Sequence, residues 1–207
     1  MSMADTLIVL DFETTGLSPR QGDRAIEIGA VKLVNGEVVD QFQELMDPGF
    51  PISAFIEDYT GITNTHLQQA DCCSEVMQRF SDFIGDSNLL AHNASFDKAF
   101  LDAELERISR PYTGHFTCSL LASRRILQQA PNHRLATLID YSNIPSQGEF
   151  HRALYDAQMT AKLWLILLSK LQQETRLSSI PFALIQKLNT TPKKSVARLL
   201  AKLAADG

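Results

Sequence analysis

Two acidic residues, Asp11 and Glu13, close a short apolar run, Thr6-Leu7-Ile8-Val9-Leu10. A short, partly β-branched run of this kind reads as a buried strand. In a strand, residues two apart share a face, so the two carboxylates project side by side. They repel each other unless something neutralises them, and a hard divalent cation with oxygen ligands does so. Thr14-Thr15-Gly16 follows, and Gly16 permits a positive-φ turn and close approach of a ligand to the backbone.

A second group is His92-Asn93-Ala94-Ser95-Phe96-Asp97, between a strand and a helix. Taken alone it reads as Ser95 capping the helix, with Asp97 matching the helix dipole. A third, His151-Arg152-Ala153-Leu154-Tyr155-Asp156, opens a long apolar helix. His151 stands at its entrance, Asp156 about one turn in, and Ala153 and Ala157 are small enough for close approach to a sheet. Four acids and one histidine thus fall at the ends of elements. Imidazole is the side chain that exchanges protons near neutral pH.

The elements that must position these groups follow from periodicity. Strands are predicted at Thr6–Leu10 running on into Glu13, at Ile26–Val34, at Glu37–Leu45, at Asn88–Ala91 and at Phe116–Cys118. Asn35-Gly36 between the second and third is a hairpin signal, which makes that pair antiparallel. Helices are predicted from Ser74 to Ile84, Ser95 to about Ile108, residue 119 to about Gln128, Leu135 to Tyr141 and Ala153 to about Gln172. The order β-β-β-α-β-α-β-α-α implies an α/β fold, a mixed sheet with helices on its faces.

Charge divides the chain. Residues 1–169 hold 12 Lys+Arg against 22 Asp+Glu, and residues 170–207 hold 7 against 2, balances of −10 and +5. An acidic body does not draw nucleic acid by its overall field; bound divalent metals can reverse that field locally. The most apolar stretch, Leu163 to Leu168, is far short of the ~20 residues a membrane-spanning helix needs. Met1-Ser2-Met3-Ala4-Asp5 has no basic residue, so no signal peptide is expected. Cys72, Cys73 and Cys118 make neither a disulfide framework nor a C-x-x-C zinc pair. A cytoplasmic location is the expectation.

The three groups, Asp11-x-Glu13-Thr14-Thr15-Gly16, His92-Asn93-Ala94-x-Phe96-Asp97 and His151-x-Ala153-x-x-Asp156, resemble in order and spacing the motifs of the DEDDh, or DnaQ-like, 3′–5′ exonucleases. The likeness is strongest to the proofreading epsilon subunits of bacterial DNA polymerase III and their stand-alone relatives. It covers about residues 5–172, with lesser matches at Ile26-Glu27-Ile28-Gly29-Ala30 and Thr60-Gly61-Ile62-Thr63. It implies a ribonuclease-H-like fold with a five-stranded mixed sheet and flanking helices. It implies two Mg²⁺ or Mn²⁺ ions held by Asp11, Glu13, Asp97 and Asp156, with His151 as general base. Nucleotide contacts would fall on Thr14, Thr15, Gly16, Leu17, Ile62, Asn93 and Phe96. A polar glutamate and histidine of the epsilon subunit stand replaced by Phe55 and Thr60.

His115 and His133 are rival histidines without an acid at the spacing of His151 and Asp156, and His92 reads as structural. Arg124-Arg125 reads as a solvated face. The implied activity is release of nucleoside 5′-monophosphates from single-stranded or frayed DNA 3′ ends. Alternatives are an RNA-trimming exonuclease of the same family and a non-catalytic nucleic-acid-binding module. Residues 1–172 are expected to form the exonuclease domain and 173–207 a basic helical extension. In that extension Val196, Leu199, Leu200 and Leu203 lie on one face, with Lys193, Lys194, Arg198 and Lys202 opposite. Nucleic acid is the expected partner, with a DNA polymerase or another repair or replication protein a further candidate through the extension, and no membrane.

Overall fold

A computed structural model describes residues 2–148 and 151–206 of the chain. Met1 and Gly207, the outer ends of the expected domains, lie outside the described residues. The sheet contains β1 (Leu7–Thr14), β2 (Ala25–Val34), β3 (Glu37–Leu45), β4 (Leu89–Ala91) and β5 (Phe116–Cys118), in the spatial order β3-β2-β1-β4-β5. β2 runs antiparallel to both β1 and β3, whereas β4 is parallel to β1 and to β5. The β2–β3 hairpin turns at Asn35 and Gly36, both at positive φ, as an Asn-Gly turn with the twist of its strands requires.

β1 alternates between two cores. Leu7 and Val9 pack with the long helix α7 (Ala153–Thr175), including its buried Trp164. Ile8, Leu10 and Phe12 pack with α3 (Cys73–Ile84) and α4 (Ala94–Arg107). Period-2 alternation therefore carries Asp11 and Glu13 onto the α7 face, toward the helix that bears Asp156. Between β3 and α3 lie the short helices α1 (Ala54–Thr60) and α2 (Asn64–Gln68). After β5 come α5 (Ser119–Ile126) and α6 (Leu135–Tyr141).

Beyond α7 the chain forms α8 (Phe182–Thr190), a single turn at Lys193–Ser195 and α9 (Val196–Asp206). Ile180, Phe182, Ile185, Leu188, Val196 and Leu200 are buried in the cluster that contains Trp164. Main-chain hydrogen bonds join Ala4 N to Ile180 O (2.8 Å) and Phe182 N to Ser2 O (3.0 Å). The Trp164 indole donates to Ala4 O at 2.7 Å. The start of the chain, α7 and α8 thus share one hydrophobic core.

Several local expectations shift. α3 begins at Cys73, one residue before the predicted Ser74, and its N-terminus has no side-chain cap hydrogen bond. α4 begins after Asn93, held at φ 75°, so Ser95 lies inside the first turn and does not cap it. Gly16 is not at positive φ. A Cβ there would stand 2.4 Å from the Asp23 carboxylate, so close approach is what requires glycine. Arg125 is not on a solvated face: its Nε donates to Thr191 O (3.2 Å) and its Nη1 to Leu121 O (3.1 Å), tying α5 to the segment after α8.

Candidate active site

The acids meet where β1 runs past its neighbour. β1 pairs with β4 at Ile8 and Val9, so beyond them its β4-side main chain needs other partners. Phe12 N–H donates to the Asp97 carboxylate at 3.2 Å. That bond draws Asp97, only 2% exposed, from the first turn of α4 to the back of the Asp11–Glu13 strand end.

α7 is brought to the same place by Gly29, which sits opposite Asp11 in the β1–β2 register. A Cβ on Gly29 would lie 2.0 Å from Leu154 N and 2.4 Å from Leu154 Cα. Only a residue without a side chain lets the start of α7 rest on the sheet at this height. Glu27, opposite Glu13 and fully buried, fastens it there. Its carboxylate accepts hydrogen bonds from Ala153 N (3.0 Å), Arg152 Nη2 (2.9 Å) and Nε (3.2 Å), and Gln43 Nε2 (2.9 Å). The Arg152 side chain does not cap the helix, so Glu27, from another strand, accepts from its first turn. With four donors and a cation around it, this buried carboxylate is satisfied.

One ligand atom each from Glu13, His151 and Asp156 lies within 4.8 Å of the others. Asp11 lines the same pocket of about 600 Å³, whose walls also include Thr14, Thr15, Gly16, Leu17 and Phe96. Asp97 stands behind the floor, and its charge acts on Asp11. Asp156 Oδ2 accepts the His151 N–H at 3.0 Å, while Oδ1 is buried without a hydrogen-bond partner. His151 has φ 71°, the left-handed region, and that backbone hydrogen bond helps to hold it there.

The carboxyls resist ionisation. Burial, and then repulsion by Asp156, Glu27 and Asp97, pushes Glu13 up to about 8. Burial lifts Asp97 to about 7. Burial lifts Asp156 to about 6, partly offset by the His151 N–H. Asp11 is raised well above the usual carboxylate range by burial, then by Asp97, Glu13 and Asp156. Crowded carboxyls and an unpartnered buried carboxylate oxygen are the donor set a hard divalent cation takes. Bound there, it would remove the repulsion that raises these pKa values.

Not every expected contact residue reaches the pocket. Ile62 is 1% exposed and packs with Ile26, Ile52, Ile56 and Leu67, so it is core, not pocket wall. Asn93 is exposed and outside the lining. Leu17 is 86% exposed at the rim, and Phe96 lines the pocket while packing on Phe100. The rival histidines are engaged elsewhere. His92 bonds Ser119 Oγ and His133 O, and burial pushes it down to about 4. His133 bonds Leu127 O, and His115 stacks on Phe182.

Tyr59, which sequence reasoning missed, lies with its ring centroid 4.1 Å from that of His151, and Phe55 stacks on Tyr59 at 5.9 Å. The signal was helical spacing: Phe55 and Tyr59 are four apart, on the exposed side of α1. Glu27 carried no signal beyond its place in a lesser match, because a lone acid in an apolar strand does not reveal the helix it will hold.

A ribonuclease-H-like sheet with buried carboxyls at the end of its central strand defines a nuclease. The Exonuclease family model matches residues 8–164, and the chain belongs to that family, in its DEDDh, or DnaQ-like, branch. It is 41% identical over 170 residues to the DNA polymerase III PolC-type of Streptococcus pyogenes serotype M2 (strain MGAS10270), covering 82% of this chain and 12% of that protein. Over 164 residues it is 42% identical to the serotype M18 (strain MGAS8232) protein, covering 79% and 11%. The chain thus spans about one-eighth of the length of these curated relatives. Among solved structures it is similar to exonuclease X in complex with 5′ overhanging duplex DNA (TM-score 0.66, 24% identity, 88% of this chain and 99% of that one). It is also similar to the nuclease domain of 3′hExo, a DEDDh family member, bound to rAMP (TM-score 0.68, 21% identity, 80% and 92%). Both share its fold.

Proposed function

We propose that this chain is a two-metal 3′–5′ exonuclease that removes nucleoside 5′-monophosphates from single-stranded or frayed DNA 3′ ends. The observation that carries the reading is the convergence of Asp11, Glu13, Asp156 and His151 on one pocket, with Asp156 Oδ1 buried and unpartnered. Asp11, Glu13 and Asp156 would hold the metals, Mg²⁺ or Mn²⁺, with Asp97 supporting Asp11 from behind. When bound, such ions stabilise charge on the phosphate and on the attacking and leaving oxygens. His151 takes the proton from the attacking water. Its placement depends on Asp156 Oδ2, which accepts its main-chain N–H, and on the Tyr59 ring beside it. The main chain at Thr14–Gly16, Leu17 and Phe96 seat the terminal nucleotide.

Residues 1–172 would carry the chemistry, and residues 173–207 form a basic helical extension that offers a surface to nucleic acid or to a polymerase. A cytoplasmic location and a role beside a DNA polymerase accord with the PolC-type relatives. One observation favours RNA trimming as a second reading. The Thr60 hydroxyl donates to Ile56 O (2.8 Å) and accepts from Ile62 N (3.1 Å), and so is spent inside the fold rather than on the sugar. The deciding experiment digests matched 5′-labelled DNA and RNA oligonucleotides with Mg²⁺ and with a chelator. A metal-dependent ladder shortening from the 3′ end, faster on DNA, is expected. Faster shortening of RNA transfers the assignment to the second reading, and intact oligonucleotides in Mg²⁺ overturn both.

A further inference from the structure

Nucleic acid cannot leave the catalytic pocket equally well in every direction. Among the described residues the pocket is lined by Asp11, Glu13 and Asp156 and by no Lys or Arg. On the α1–α2 side, residues 47–71 contain Asp47, Glu57, Asp58 and Asp71 and no Lys or Arg. Apart from Asp71, which pairs with Arg79 at 2.7 Å, these acids would repel phosphates upstream of the cut.

The other side differs. The catalytic pocket shares Leu17 with a neighbouring cleft of about 730 Å³, walled by Arg20, Lys98 and Arg107, the last paired with buried Glu104 at 3.2 Å. That cleft also holds Asp102, which pairs with Lys98 at 2.5 Å, and Glu106. Both partners of the Lys98–Asp102 pair are about half exposed, and an ion pair of that kind contributes little and exchanges readily for phosphate. Arg20 is exposed and has no ion-pair partner among the described residues. A further cleft of about 340 Å³ shares Ser95 and Lys98 with this one, contains no acid among the described residues and extends to Gln186, Asn189 and Thr190 at the end of α8. Three residues on stand Lys193 and Lys194, both exposed, followed by Arg198 and Lys202 on the outward face of α9. Burial of Val196 and Leu200 fixes that face.

Resting on the exonuclease reading, we infer that the strand upstream of the cut runs from Leu17 past Arg20 and Lys98 to Lys193 and Lys194. The path passes from the acidic pocket into a run of cations held by one folded core. It gives the basic end of the chain a substrate role: its charges are pre-positioned by burial of Ile185, Leu188, Val196 and Leu200, so ordering them costs little on binding. A strand long enough to reach Lys193 meets cations that a single nucleotide cannot reach.

Two double variants test this, Arg20→Gln/Lys98→Gln and Lys193→Gln/Lys194→Gln, neither of which touches the core or the catalytic acids. Activity is read on thymidine 5′-(p-nitrophenyl phosphate), which has no upstream phosphate, and on a 15-residue oligothymidylate from 50 to 300 mM salt. Both variants should cleave the small ester within twofold of the unsubstituted protein. On the long strand each should raise KM, and its log–log salt slope should flatten by about 1.4, at ~0.7 for each phosphate no longer neutralised. Unchanged KM and slope on the long strand in both variants would overturn the path and leave the basic face to a protein partner. Loss of activity on the ester in a variant that melts normally would also overturn it, by placing these cations at the catalytic pocket. Failure of the unsubstituted protein to cleave either substrate in Mg²⁺ or Mn²⁺ strikes at the exonuclease reading instead.

Discussion

Replacing Glu13 by glutamine should stabilise the metal-free protein, increasingly as pH rises above 4.5. In the unfolded chain Glu13 ionises at its ordinary value of 4.5, whereas in the fold it holds its proton until about pH 8. Between these values the folded state binds more protons than the unfolded one, so stability falls as pH rises and levels off above 8. The gap of about 3.5 pH units corresponds to a ceiling of about 5 kcal/mol at 1.36 kcal/mol per unit. Glutamine resembles the protonated acid and does not titrate. The variant should therefore match the parent below pH 4.5 and exceed it progressively up to pH 8.5. At ~2–4 °C per kcal/mol for a domain of this size, the gap in Tm should have a ceiling of ~10–20 °C. The assay is thermal unfolding in chelator at pH 4.5, 6, 7 and 8.5, repeated with millimolar Mn²⁺. Metal should stabilise the parent at pH 8.5 more than the variant, because ligand binding to the folded state alone adds stability. A Tm gap that does not change with pH, or a variant less stable than the parent at pH 8.5 in chelator, would refute the reasoning.

Three further outcomes follow from the same geometry. Asp11→Ala and Asp156→Ala should each abolish hydrolysis in Mg²⁺ while the far-ultraviolet circular dichroism stays unchanged; near-normal turnover in either would remove it from the metal-ligand set. His151→Ala should lose ~10²–10⁴ in turnover while Mn²⁺ affinity by calorimetry changes little; a large loss of affinity would make the imidazole a ligand rather than the base. Gly29→Ala forces a methyl into the backbone of Leu154. It should cost about 3 kcal/mol in chemical denaturation and lower activity by lifting Asp156 away from Glu13; a variant of normal stability would show that α7 does not bear on the sheet there.

Much of this site was legible in the sequence because its rules are local. The alternation of Leu7, Val9, Asp11 and Glu13 is a property of any strand, and Asn35-Gly36 encodes its own turn. The entry of α7 just before Asp156 follows from the apolar stripe that begins there. Those features set the α/β class, while the five residues on which the chemistry was placed came from the resemblance of three short motifs to those of the DEDDh exonucleases. What sequence reasoning misplaced depended on partners distant along the chain. Tyr59 lies in the last turn of α1 and Ile62 just past its end, and nothing local says that Ile62 turns into the Ile26–Leu67 cluster while Tyr59 turns out to His151. Glu27 grips the start of α7 from 126 residues away, and Gly29 is needed only because that helix rests on it. The basic end of the chain read as a basic helical extension with one apolar face. Its burial against Trp164 and its join to Ala4 are decided by packing, because a helix's apolar stripe says that it must be covered and not by what.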